Sequence, residues 1–140
     1  MLHLPRTITT PLSLVVSTGT GEAELGAELR YDPADPFAVS LAIGTECGEP
    51  VVWTFARDLL AAGMGAPAGE GDITIEPDHA ASLDTTERVV RITLATDCLA
   101  TMVVPADPIT EFLLETFALV PTGSELDRVD IDAEIAALLA

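Results

Sequence analysis

Nucleophilic chemistry in this chain would have to start from two cysteines, Cys47 and Cys98, and two histidines, His3 and His79. A Cys47–His79 pair is the combination that could make a thiolate, since an adjacent imidazole can take the thiol proton. No motif surrounds either residue. His3 stands at a terminus prone to fraying, and His79 lies in the loop PDHAAS beside Asp78. Both cysteines read instead as small apolar side chains, reduced in a cytoplasmic protein. Asp and Glu number 23 in 140 residues, so no two carboxylates stand out as an acid–base pair. No catalytic group is assigned, and the chain reads as a non-enzyme.

Metal and phosphate sites fare no better. The tail DIDAE places Asp130, Asp132 and Glu134 at alternate positions, as at the start of a calcium loop. The glycine and closing glutamate that such a loop requires do not follow, and an acidic first helical turn explains the pattern. The aspartates of YDPADPF (31–37) make turns, because the carboxylate bonds the backbone and proline fixes φ. The segment GMGAPAG (63–69) begins Gly-x-Gly but follows a helix and precedes a strand. A dinucleotide cradle needs the reverse order, with a helix N-terminus facing the phosphate. Neither a cofactor nor a metal is expected.

Net charge excludes further classes. The chain carries −17, with six arginines and no lysine, and its field repels DNA, RNA and anionic lipid. No apolar run approaches the ~20 residues of a membrane span. The opening MLHLPRTITTPLS lacks the apolar core and cleavage site of a secretion signal. With 49% hydrophobic residues, a single domain over 1–140 has ample material for a core. Residues 1–11 are expected to form a flexible lead and 128–140 an acidic helix.

The elements follow from the hydrophobic period. LSLVVST (12–18), AELGAELRY (23–31), PFAVSLAIG (36–44) and PVVWTF (50–55) alternate as strands. GTECGEP (44–50) reads as a hairpin connection. ARDLLAAGM then gives about two helical turns, with Gly63 or Gly65 as the stop. APAGEG is loop, DITIE (72–76) is strand, and ERVVRITLAT (87–96) with CLATMVVP (98–105) form a hairpin around Asp97. Asp107-Pro108 supplies an N-cap and a first-position proline for a helix over 107–120. The order of four strands and a helix, then three or four strands and helices, predicts an α+β domain of two antiparallel sheets with packed helices.

The corner between the fourth strand and the first helix holds the most distinctive residues: Trp53, Phe55, Arg57, Asp58, Leu59 and Leu60. Trp53 and Phe55 share a strand face, and Leu59 and Leu60 lead the helix into the core. Arg57 falls in the first helical turn, where the macrodipole disfavours a cation. A carboxylate partner that fixes the helix over the sheet accounts for it; an arginine facing a binding partner is the alternative.

Three spaced blocks, LRYDPADPFAV (29–39), WTFARDLLAAGM (53–64) and GEGDITIEP (69–77), resemble the SsgA-like family of actinobacterial sporulation and cell-division regulators. The likeness runs from about Leu12 to the end of the chain. It implies a whirly-like fold assembled as a homotrimer, with the corner residues as a structural signature of the family. It also implies a non-catalytic adaptor, acting on the division protein FtsZ or the wall machinery and recruited to septa. Whirly relatives elsewhere bind single-stranded nucleic acid, which is the competing function; this chain lacks their basic residues. The resemblance does not identify the partner-binding surface.

Overall fold

A computed structural model describes residues 7–44, 49–79, 88–95, 99–128 and 138. Eight strands form one antiparallel sheet: β1 (Ile8–Thr18), β2 (Gly21–Tyr31), β3 (Ala38–Ile43), β4 (Val51–Ala56), β5 (Ala68–Glu70), β6 (Ile73–Pro77), β7 (Val89–Ala95) and β8 (Leu99–Pro105). Helix α1 (Arg57–Gly63) follows β4 without a break. Helix α2 (Ala106–Leu119) likewise follows β8, and a 3-10 turn spans Glu125–Arg128.

The strand order is β4-β3-β2-β1-β8-β7-β6-β5. Each half is a meander whose consecutive strands pair antiparallel. The two predicted sheets are therefore one. The first strand is the reason: β1 pairs with β2 along its whole length on one side and with β8 at Val15–Ser17 on the other. Three residues of register join the meanders. Strand β5 replaces what the sequence presents as loop, because Ala68–Glu70 finds a ready partner in β6.

Alternation sends Leu12 and Leu14 of β1, Leu29 and Tyr31 of β2, Val39 and Leu41 of β3 and Phe55 of β4 to one face. Ile75, Ile92, Met102 and Val104 continue that face through the second half. Helix α2 covers it at β1 and β2, burying Ile109, Phe112 and Leu113. Each such side chain contributes roughly 1.5–3 kcal/mol relative to exposure. Helix α1 packs against β4, β5 and β6, strands from opposite ends of the sheet order. The sheet must curl to bring them together.

Several boundaries differ from the sequence pattern. Strand β1 begins at Ile8 rather than Leu12, running through Pro11. A proline is tolerated there because β8 reaches only Val15–Ser17, which leaves the edge beside Pro11 without a ladder to break. Helix α2 starts at Ala106, with Pro105 at its N-cap and no side-chain capping bond. Asp107 lies in the first turn instead of capping it. The Ala106 N–H donates to the Arg88 carbonyl at 2.9 Å, so the neighbouring backbone does what the aspartate was expected to do. The hairpin connections at 45–48 and 96–98, and nearly all of the tail helix, lie outside the described residues.

Gly63 ends α1 for a different reason from the expected one. Its φ is not positive. A Cβ placed on it would lie 2.9 Å from the Ile75 carbonyl oxygen and clash with the Ile75 side chain. The helix can approach β6 this closely only without a side chain at that position. Gly63→Ala is therefore expected to destabilise the protein by about 1–3 kcal/mol through overpacking, read as a lowered urea midpoint. Gly65→Ala, with open space around its Cβ, should leave the midpoint nearly unchanged.

Candidate functional site

Arg57 is 1% exposed and is among the largest fully buried side chains. The β4–α1 junction forces this position: the Arg57 N–H continues the β3–β4 ladder by donating to the Phe37 carbonyl at 2.8 Å, while its side chain runs inward. There Nη1 donates to the carbonyls of Thr116 (3.1 Å) and Val120 (2.8 Å) at the C-terminal end of α2. Nη2 donates to Oε1 of Glu125 at 3.0 Å. The guanidinium carbon lies 4.2 Å from the centre of the Phe117 ring and 5.1 Å from that of Tyr31. Its Nε has no hydrogen-bond partner among the described residues.

This arrangement reverses the electrostatic objection to an arginine in a first helical turn. Helix α2 has no basic residue in its last turn, and its terminal carbonyls carry the negative end of the dipole. Arg57 supplies that missing cation from another element. The carboxylate partner belongs to the turn after α2, so the pair ties α1 to α2 rather than to the sheet.

Glu125 is held from both sides. Its Oε2 accepts the Gly123 N–H at 2.9 Å, and Gly123 can present that N–H because it adopts φ +91°, open to glycine. The carboxyl sits below the ordinary glutamate value. Its own backbone N–H is the main cause, helped by the hydrogen bonds from Arg57 and Gly123 and by the Arg57 charge, against burial acting the other way.

The other corner residues divide by solvent. Phe55, Leu59 and Leu60 are core. Trp53 is half-buried against that core and sits opposite Leu41. Asp58 is exposed in the first turn of α1, favourably placed for the dipole. His79 is exposed, and its neighbour Asp78 is buried and bonded to Arg91 at 2.9 Å. His3 and both cysteines lie outside the described residues, as does the acidic segment 130–134. Among the described residues, no three His, Cys, Asp or Glu side chains gather as a metal-binding group.

A hollow of about 790 Å³ opens between the β1–β2 hairpin tip and β8, lined by Ser17, Thr18, Gly19, Thr20, Leu99 and Thr101. None of these side chains offers an acid, base or thiol. What the geometry builds at the corner is a buried cross-brace. Sequence reasoning singled out Arg57 but missed Tyr31, Phe117 and Glu125, the last of them 68 residues away.

Residues 25–125 match the family described as "Streptomyces sporulation and cell division protein, SsgA". The chain belongs to this family. It is 38% identical over 134 residues to a sporulation-specific cell division protein SsgB of Frankia casuarinae, covering 94% of this chain and 91% of that one. It is 44% identical over 117 residues to the SsgB of Thermobifida fusca, covering 83% and 82%. An SsgA-like sporulation-specific cell division protein from Thermobifida fusca YX-ER1, solved by crystallography, superposes with a TM-score of 0.83 at 38% identity over 98% of both chains. The Arg57 cross-brace is thus part of an SsgA-family domain. No helix among the described residues is long and apolar enough to cross a membrane.

Removing one partner of a buried ion pair leaves the other uncompensated. Arg57→Ala should cost about 3 kcal/mol or more, measured by chemical denaturation. Arg57→Lys should recover part of that loss, since one ammonium cannot span both helix carbonyls and Glu125 in the planar geometry of a guanidinium.

The depressed Glu125 value fixes the sign of a pH effect. A carboxyl with a lower pKa folded than unfolded contributes stability above the unfolded value and loses it as pH falls through the folded one. Melting temperature should therefore fall more steeply below the usual glutamate range in the wild type than in Glu125→Gln. Parallel acid limbs in the two proteins would contradict this assignment.

Proposed function

We propose that this protein is a non-catalytic adaptor of sporulation-linked cell division, acting through contacts with the division or wall-building machinery. The carrying observation is the match to sporulation-specific cell division proteins along nearly the whole chain. FtsZ recruitment or septum-site control is the specific role, with the protein assembled as a homotrimer and drawn to septa from the cytoplasm. Support for a protein-binding role comes from large apolar side chains left in solvent, Phe37, Leu99, Leu114 and Leu126 among them. They lie outside the core and are available to cover another surface.

The rival is a single-stranded nucleic-acid binder of whirly type. Such grooves combine cationic residues with aromatic platforms for base stacking. Here aromatic residues make up 4% of the chain and its net charge is −17. Phe55 and Phe112 are committed to the core, and Tyr31 and Phe117 flank Arg57. Electrostatics opposes approach to a phosphate backbone.

Purified protein is expected to retain a division protein such as FtsZ in a pull-down from sporulating actinobacterial lysate. Light scattering should return three times the chain mass. Labelled single-stranded DNA should show no change in anisotropy at physiological salt. Micromolar DNA binding that weakens steeply as salt rises would replace the adaptor with its rival.

A further inference from the structure

The two ends of the sheet are defended unequally. An edge strand presents unpaired backbone groups, and natural proteins blunt such edges with shortness, charge, proline or a covering element. Strand β5 is three residues long and contains Glu70. Strand β4 runs six residues, VVWTFA, without a charge or a proline. Val51 and Val52, adjacent and on opposite faces, are 47% and 50% exposed.

The backbone of β4 is also set for pairing. Its ladder to β3 places Arg57 opposite Phe37 with a bond between them. Bonded pairs alternate in an antiparallel ladder, so Val51, Trp53 and Phe55 use their backbone groups on β3. The N–H and C=O of Val52 and Thr54 point to the free edge. Helix α1 packs only near the end of β4, where a hollow of about 190 Å³ is lined by Thr54, Phe55, Leu59, Glu70 and Ile73. The Val51–Trp53 half stands clear of it.

Charge selects the occupant. The exposed Glu70 lines the same hollow as Thr54 and Phe55, and the exposed Asp58 follows two residues after the end of the strand. A second copy of a chain carrying −17 brings like charge to these carboxylates. An extended segment with cationic ends meets no such conflict.

We propose that the free edge of β4 is a docking site for an extended segment of another protein, alternating apolar side chains between Lys or Arg residues and adding to the sheet as a strand. Val52 and Thr54 supply the backbone bonds, Val51 and Val52 the apolar contacts, and Asp58 and Glu70 the counter-charges. The site rests on the reading of this protein as a binder of other proteins and gives that reading a place and a partner chemistry.

The probe is a fluorescein-labelled peptide, Lys-Lys-Val-Thr-Val-Thr-Val-Lys-Lys, with a glutamate-ended twin as control. Full-length protein should bind the lysine form by anisotropy, with a change in the emission of Trp53, the sole tryptophan, and slowed amide exchange at Val52 and Thr54. Val52→Pro removes an N–H that β3 does not use. It should keep the melting temperature while raising the Kd about tenfold or more, as expected for losing a bond and its register. Val52→Lys, which keeps the backbone but repels the peptide, should weaken binding likewise. Failure of the wild type to prefer the lysine peptide, or equal affinity in the wild type and both variants, overturns the site. Exchange protection at β4 that grows with protein concentration alone would overturn it in favour of a second copy. A division protein captured equally by wild type and Val52→Pro sinks the edge site and leaves the adaptor standing. Peptide binding lost in Val52→Pro, with no division protein captured by either, does the reverse.

Discussion

A buried guanidinium must find hydrogen bonds where it is buried, and Arg57 finds them on pieces of chain that share no local sequence. Isolated, such a charge would cost far more than any single core contact returns. Its ligands are two carbonyls that close α2 and a carboxylate in the turn beyond, with Tyr31 of β2 and Phe117 of α2 on its faces. The demand of one cation therefore fixes the start of α1, the end of α2 and the path of the chain through Gly123 relative to one another. The apolar core alone specifies these less sharply, since hydrophobic contact is not directional.

That brace also bears on how the sheet ends. Strand β4 feeds straight into α1, so anchoring Arg57 anchors the last pair of β4 to β3. Gly63, at the other end of the same seven-residue helix, lets it press against β6. Helix α1 is thus pinned at both ends and spans the two margins of a curled sheet. A sheet that curls without closing must leave an edge. Here the margin held by the brace is the long, uncharged one, and the opposite margin is short and acidic.

Much of this was legible in the sequence, for identifiable reasons. Period-two alternation marked β3, β4, β6, β7 and β8 because each has one face in the core. The change of period after Phe55 marked α1. Apart from β5, read as loop, what misled was pairing and not element type. Nothing in LSLVVST states that β1 accepts neighbours on both edges, so two meanders read as two sheets. Pro11 concealed the start of β1, since the pattern cannot show which edge a proline meets. Asp107 looked like a cap because sequence cannot reveal that the Arg88 carbonyl reaches Ala106 first. At the corner, the helix dipole made Arg57 conspicuous and predicted a carboxylate. Identifying it as Glu125 required the fold, because the chain offers 23 acidic residues and the chosen one is local to nothing around Arg57.

The acidity that obscured the partner of Arg57 bears directly on what the surface can bind. Of 23 carboxylates, only Asp78 and Glu125 are buried among the described residues, and both are spent on arginines within the fold. The remainder set a field that extends about a Debye length, roughly 8 Å at physiological ionic strength. Such a field accelerates the approach of cationic surfaces and suppresses anionic ones, while the lifetime of a complex depends on short-range packing and hydrogen bonding. Acidic shell and apolar exposure therefore do different work: the first sorts partners by charge before contact, and the second decides which of them stay. Neither requires a catalytic group, and the buried ionic cluster at the corner is already consumed in holding the domain together.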